Sequence, residues 1–139
     1  MERLVKWVAF PVAACALAGS VAVAAGQPQQ TPRAVAAKLT SPVASNPASI
    51  AAGQALYGKY CRFCHGASGR GDGPQAPKDV QPSNLTDTTW DRGSSPGEIF
   101  VVIQEGAGPE FKMKGYKGRI SDTDMWNVIN FLRSIGPKK

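Results

Sequence analysis

Histidine is the scarcest reactive residue in this chain: among 139 residues there is one, His65. Cysteine and methionine are also rare, with three of each. A closed zinc site needs four cysteine or histidine ligands, which this chain does not offer in one cluster. A second histidine for acid–base catalysis is missing, and there is no nucleophile motif. No alternating apolar pattern is long enough to predict a β-strand.

The most specific feature that is present is the run Cys61-Arg62-Phe63-Cys64-His65, a C-x-x-C-H motif. This pattern attaches c-type haem to a polypeptide. Each thiol forms a thioether to one haem vinyl group, and His65 then becomes the proximal ligand of the iron. The alternatives are a redox cysteine pair, which would need a βαβ setting, or part of a zinc site. The motif predicts one covalently attached haem c, held by Cys61 and Cys64.

The first 25 residues have a charged start, an apolar middle and small residues at the exit, as a secretory signal peptide does. Because haem c is attached after export, this segment and the motif support each other. We therefore predict a signal peptide over residues 1–25 and a periplasmic location. Two alternatives stay open: retention as a membrane anchor, since about twenty apolar residues can span a bilayer, and lipidation at Cys15.

The rest of the chain divides into a linker and one domain. Residues 26–46 are rich in Pro, Ala, Gln, Ser and Thr, and such a segment buries too little apolar surface to offset its ordering entropy. We predict a flexible linker there. We predict that residues 47–139 form one small domain. Domains of this size often need a covalent or cofactor cross-link for stability, which the haem would supply.

Three helices are predicted from their start and stop signals. Asn46 is an N-cap followed by proline, and its helix runs to the C-x-x-C-H motif. Ser95 opens a capping box, and its helix ends before Gly106. Ser121 opens the last helix, which ends at Gly136. The fold class is therefore all-α.

The second axial ligand of the iron follows by elimination. His65 is the only histidine, so methionine is the next candidate. Met1 belongs to the export segment, and Met125 is placed to pack against Ile120 as a hydrophobic staple. Met113 instead lies in a loop of glycines and charged residues with no helical stripe to join. We predict that Met113 is the distal ligand.

These features resemble the class I cytochromes c, in particular small bacterial mono-haem domains. Gly53 and Tyr57 stand eight and four residues before Cys61, where that family has a small and an aromatic residue. Val128 and Phe131 match the apolar and aromatic positions of its last helix. The resemblance implies a cytochrome c fold, with three or more short helices around the haem and close contact between the first and last helices.

The resemblance also implies a hydrogen bond from the ligating imidazole to a backbone carbonyl, for which we match Pro74. The chain departs from the family at Lys114, because many members have proline directly after the ligating methionine. Trp90 and Arg92 are candidate donors to the haem propionates. They are equally compatible with ordinary core and surface roles.

Function follows from the predicted iron site. A haem with both axial positions filled by the protein has no vacancy for substrate, and His/Met ligation raises the reduction potential. We expect a non-enzymatic one-electron carrier between respiratory dehydrogenases and an oxidase or reductase. The alternatives are a haem protein with a labile distal ligand, acting as peroxidase or gas or redox sensor, and the electron-entry subunit of a larger oxidoreductase.

Charge gives an expectation about partners. The chain has a net charge of +6, and four cations surround the predicted ligand Met113: Lys112, Lys114, Lys117 and Arg119. They are placed to steer an acidic redox protein, although lysines also simply keep a surface soluble. Nucleic acid is not an expected partner of an exported haem domain. We expect a monomer or a subunit of a redox complex.

Overall fold

The computed structural model describes residues 32–108 and 112–137. The predictions for residues 1–25 and Cys15 lie outside these ranges. The described residues form a mainly helical domain with one small antiparallel sheet. In chain order, its elements are α1 (Pro32–Ala36), α2 (Pro47–Tyr60), α3 (Arg62–His65), α4 (Pro96–Glu105), β1 (Gly106–Gly108), β2 (Met113–Lys114) and α5 (Asp122–Ile135).

Local capping sets the starts of the three longer helices, as the sequence predicts. The side chain of Asn46 accepts a hydrogen bond from the Ser49 amide, 2.9 Å away. Ser95 and Glu98 form a complete capping box at the start of α4. The hydroxyl of Ser121 accepts a bond from the Asp124 amide at 3.1 Å. Because each cap satisfies amides that lack partners within their helix, all three predicted starts are confirmed.

Helices α2 and α5 cross in close contact. A Cβ on Gly53 would lie 1.9 Å from the carbonyl oxygen of Asn127 and 2.9 Å from the Cβ of Phe131. One turn later, the Tyr57 and Phe131 rings pack with their centroids 5.3 Å apart. The small residue therefore permits a backbone approach that any side chain would prevent, as the resemblance implies.

The core extends from this crossing toward α4. Met125 is completely buried, in the same apolar cluster as Ile120, which confirms its packing role. Phe100 of α4 stacks on Trp126 of α5, with ring centroids 4.4 Å apart and nearly parallel planes. None of the helices in residues 32–108 and 112–137 is long and apolar enough to cross a membrane.

The described part of the predicted linker, residues 32–46, is packed on the domain. This corrects the prediction that these residues form a flexible linker. Helix α1 lies against α4, and Ala36 is buried. A Cβ on Gly97 would lie 2.0 Å from the Ala36 carbonyl oxygen and 2.7 Å from the Cβ of Leu39. Arg33 and Glu98 form an ion pair at 2.9 Å.

The end of this segment is held by α5. The side-chain nitrogen Nδ2 of Asn130 donates to the Ser49 hydroxyl at 2.7 Å. It also lies 3.4 Å and 3.3 Å from the carbonyl oxygens of Val43 and Ala44. Val43 also packs against the core. Composition did not reveal this packing, because the partners of these few apolar and backbone groups lie far along the chain.

Two glycines of α2 give a matched test of the helix crossing. Gly53→Ala should destabilise the holoprotein by about 2–3 kcal/mol, because the new methyl group overlaps the α5 backbone. Gly58→Ala should stabilise it by about 0.5–1 kcal/mol, because nothing lies within 4 Å of a Cβ there and alanine is the better helix former. Denaturant unfolding measures both. Equal effects of the two substitutions would contradict the close crossing.

The capping box predicts a pH dependence of stability. Hydrogen bonds from the backbone and hydroxyl of Ser95, with the Arg33 contact, lower the pKa of Glu98 from 4.5 to about 2. A pKa lowered by folding means that ionised Glu98 stabilises the protein above about pH 4.5, and that this contribution is lost as the pH falls toward 2.

Glu98→Gln should therefore cost about 0.5–1 kcal/mol near neutral pH, and the difference from the unsubstituted protein should shrink near pH 2.5. Unfolding by urea at both pH values measures it. Glu105→Gln is the control, since that exposed carboxylate pairs with exposed Lys117 and its loss should change stability by less than about 0.5 kcal/mol at either pH. A Glu98→Gln deficit that is unchanged at low pH would refute the assignment.

Candidate functional site

The C-x-x-C-H residues are arranged by helical backbone. Helix α2 ends at Tyr60, and the Cys61 amide donates to the carbonyl of Tyr57 at 2.9 Å. The chain then continues into α3, where the His65 amide donates to the Cys61 carbonyl at 3.0 Å. Residues three and four positions apart on a helix share a face. Cys61, Cys64 and His65 therefore lie on the same side, and the two cysteines are not joined by a disulfide.

These residues face a cavity of about 320 Å³. Its wall also includes Met113, Leu85 from the loop before α4, Ile99 from α4 and Leu132 from α5. A mostly apolar cavity with a few polar or coordinating groups is typical of a cofactor site. Two cysteine sulfurs, an imidazole and a methionine thioether line one cavity, and these groups could attach a c-type haem and fill both of its axial positions.

The cysteines do not have the properties of a redox pair. Burial, and to a smaller extent the neighbouring Cys64, raise the pKa of the Cys61 thiol to about 12. A reactive cysteine needs a lowered pKa, because the thiolate is the nucleophile. The surroundings of Cys61 therefore favour a thioether role over thiol–disulfide exchange.

The imidazole of His65 is oriented by Ser83. Its Nδ1 lies 3.1 Å from the Ser83 carbonyl oxygen. Because a carbonyl can only accept, Nδ1 carries the hydrogen, and the unprotonated Nε2 is the atom that could hold a metal. Burial lowers the pKa of His65, opposed in part by the bond to Ser83, so the ring is held in the neutral form that a metal ligand needs.

Our assignment of this carbonyl to Pro74 is therefore wrong. The residues on either side of Pro74 bond to the motif backbone: the Gly73 amide donates to the Cys64 carbonyl at 3.1 Å, and the Gln75 amide to the Phe63 carbonyl at 2.7 Å. Pro74 itself is exposed. No residue type marks the true acceptor, because every residue has a backbone carbonyl, and the identity of Ser83 emerges only from the path of the loop.

Met113 reaches the cavity from a different part of the chain. It begins β2, which pairs with β1 directly after α4, with Gly108 opposite Met113. Gly106 makes the turn possible with φ +88°, and a Cβ there would lie 2.5 Å from the Met113 carbonyl oxygen. Lys112, directly before Met113, also has a positive φ of 52°. The strands have three and two residues, too few for an alternating pattern, so they were not predicted.

Trp90 and Arg92 both line the cavity. The indole N–H of Trp90 donates to the Asp87 carbonyl oxygen at 2.9 Å. The predicted donation from Trp90 to a propionate is corrected accordingly, because a nearby turn already uses its only donor. Arg92 is exposed at the cavity wall, and its contact with a propionate stays a prediction.

Sequence reasoning missed a pair of tyrosines in the cavity wall. Tyr60 and Tyr116 meet edge to face with centroids 5.8 Å apart, and the Tyr116 hydroxyl donates to the Tyr60 carbonyl at 2.9 Å. Tyr57, deeper in the wall, donates to the Gly66 carbonyl at 2.7 Å. Burial raises the pKa of Tyr57 to about 12, with smaller contributions from Cys61 and Asp72. The hydroxyl groups thus tie the motif to its surroundings as neutral donors.

A family model described as cytochrome C oxidase, cbb3-type, subunit III matches residues 48–132, more than half of the chain. The chain belongs to this cytochrome c family. Its haem c is covalently bound, as Cys61 and Cys64 lead one to expect, and the protein is a haem c electron-transfer protein with the cytochrome c fold.

Solved structures of other cytochromes share this fold. The chain is similar to a chain of the reducing HAO-like protein complex Kustc0457/Kustc0458 of Kuenenia stuttgartiensis, with 25% identity and a TM-score of 0.62 over 73% of this chain and 49% of that one. Cytochrome cL of Methylophaga aminisulfidivorans matches with 20% identity and a TM-score of 0.53, over 66% and 55% of the two chains.

Cytochrome cL of Hyphomicrobium denitrificans matches with 23% identity and a TM-score of 0.53, over 63% and 48% of the two chains. The present cytochrome thus spans about half the length of each of these three relatives. The two cytochrome cL structures support the shared fold and nothing finer about the site.

Proposed function

We propose that this cytochrome is an exported, periplasmic one-electron carrier whose haem iron is ligated by His65 and Met113. It would pass electrons between respiratory dehydrogenases and an oxidase or reductase. The observation that carries the proposal is that His65, after α2, and Met113, after α4, line the same cavity. The haem supplies a one-electron iron couple when bound. A methionine thioether opposite histidine raises the potential of that couple.

The surrounding residues would support this role by holding the two ligands in place and by excluding water from the cavity. The Ser83 carbonyl fixes the His65 ring, and the β1–β2 pairing fixes the backbone of Met113. Apolar side chains such as Ile99 and Val128 form much of the wall. A site that changes little between oxidation states needs little reorganisation. These contacts therefore favour electron transfer over binding and turnover of a substrate.

A second candidate is a subunit through which electrons enter a larger oxidoreductase. The similarity to a chain of the Kuenenia stuttgartiensis complex favours it. The iron ligation proposed above would be the same in both cases. Co-purification of the native protein from its membrane and periplasmic fractions distinguishes a free carrier from a subunit.

The ligand assignment is tested by two methionine substitutions. Met113→Ala in the holoprotein should abolish the weak near-infrared sulfur-to-iron band of the oxidised haem and allow carbon monoxide to bind the reduced haem. Met125→Leu should leave the band in place, because Met125 is fully buried in the apolar core and the exchange nearly conserves volume. A band missing from the unsubstituted protein would instead favour the peroxidase or sensor function.

We further propose that the redox partner is acidic at its docking face. The four predicted docking cations differ in their surroundings. Lys112 contacts Asp79, and Lys117 pairs with Glu105 at 3.1 Å. Lys114 and Arg119 are exposed, line the cavity and have no carboxylate partner within the described ranges. They would therefore contribute most to attraction at the cavity mouth.

Lys114→Gln should slow oxidation of the reduced cytochrome by ferricyanide, an anionic probe, by about two- to five-fold at low salt. Lys117→Gln makes the same charge change outside the cavity wall and should slow it less. Stopped-flow rates over a range of salt concentrations measure both, and the difference should fade as salt screens the charges. Equal rates for the two variants at low salt would contradict docking at the cavity mouth.

A further inference from the structure

Three aromatic rings in the cavity wall each have a cation over them. The distances from cation to ring centroid are 4.9 Å for Lys59 over Tyr60, 5.1 Å for Arg119 over Tyr116 and 6.0 Å for Arg133 over Trp90. Lys59 and Arg119 are exposed, whereas Arg133 is half-buried. Each of the three cations thus lies over a ring of the wall, but they differ in their exposure to water.

Arg133 is also uncompensated within residues 32–108 and 112–137, since no carboxylate there lies close enough to form an ion pair. Burial lowers its pKa, because leaving water disfavours the charged guanidinium. A cation in the last turn of a helix ordinarily complements the helix dipole. That role explains an arginine near the end of α5 but not its position over a ring of the cavity wall.

Trp90 is held so that the cation stays close to the cavity. Its indole N–H donates to the Asp87 carbonyl at 2.9 Å, which fixes one edge of the ring. Leu132, directly before Arg133, itself lines the cavity. The guanidinium therefore lies against a ring that lines the cofactor space, and the residue before it lines that space directly.

We propose that the charge of Arg133, held over the Trp90 ring, raises the reduction potential of the haem iron. Reduction adds one electron, and hence one negative charge, to the iron. A nearby cation stabilises that charge more strongly where solvent screening is weak. The inference rests on the haem c in this cavity and does not depend on Met113 as its ligand.

Potentiometric titration of the holoprotein, with dithionite as reductant and ferricyanide as oxidant, tests the proposal. Arg133→Gln should lower the midpoint potential. Lys59→Gln is the matched control: it removes a cation from over another ring of the wall, but an exposed one, so its shift should be smaller. The Arg133→Gln shift should also persist at high salt, where exposed charges are screened.

Arg133→Lys separates charge from packing, because lysine keeps the charge and loses the planar guanidinium. It should retain most of the original potential. A potential unchanged in Arg133→Gln, a shift no larger than that of Lys59→Gln, or an equal fall in Arg133→Lys would each overturn the proposal. The near-infrared band, recorded on the same samples, shows separately whether Met113 ligation is intact.

Discussion

The contact of Gly53 with the backbone of α5 is the constraint on which the haem site depends. It fixes the angle and distance between α2 and α5, and Tyr57 then packs on Phe131 one turn further along. The end of α2 is thereby set, and the next turn carries the C-x-x-C-H motif. Since α5 also supplies Val128 and Leu132 to the cavity wall, one helix crossing positions both the attachment point and the opposite wall.

The two sides of the cavity are then connected by hydrogen bonds to backbone carbonyls. Ser83 offers a carbonyl to the imidazole, and the amides of Tyr116 and Lys117 donate to the carbonyls of Ile103 and Gln104 at the end of α4. These bonds need particular chain paths but few particular residues. The site can therefore keep its geometry while the loop sequences change, except where a positive φ or a close approach requires glycine, as at Gly106.

The difference between contacts that need particular residues and contacts that need only a particular chain path explains which features could be predicted from the sequence. Caps such as Asn46 and Ser95, and the motif itself, are encoded within a few neighbouring residues, so they were predicted correctly. The resemblance to a known family added the contact at Gly53, which no local pattern reveals. Ser83 and the packing of residues 32–46 depend on groups distant in sequence and on backbone atoms that every residue shares, and neither could be predicted.

The cations around the cavity illustrate how burial separates two effects of the same charge. At an exposed position such as Lys114, water and salt weaken the interaction with the iron, while the field still reaches an approaching partner at low ionic strength. At a half-buried position such as Arg133, an approaching partner feels little of the charge, but the low local dielectric would strengthen the effect of that charge on the iron. On this argument, exposed cations would govern the rate of encounter and the half-buried Arg133 the equilibrium of electron transfer. Because burial rather than charge distinguishes them, evolution could tune the two properties independently with residues of one sign.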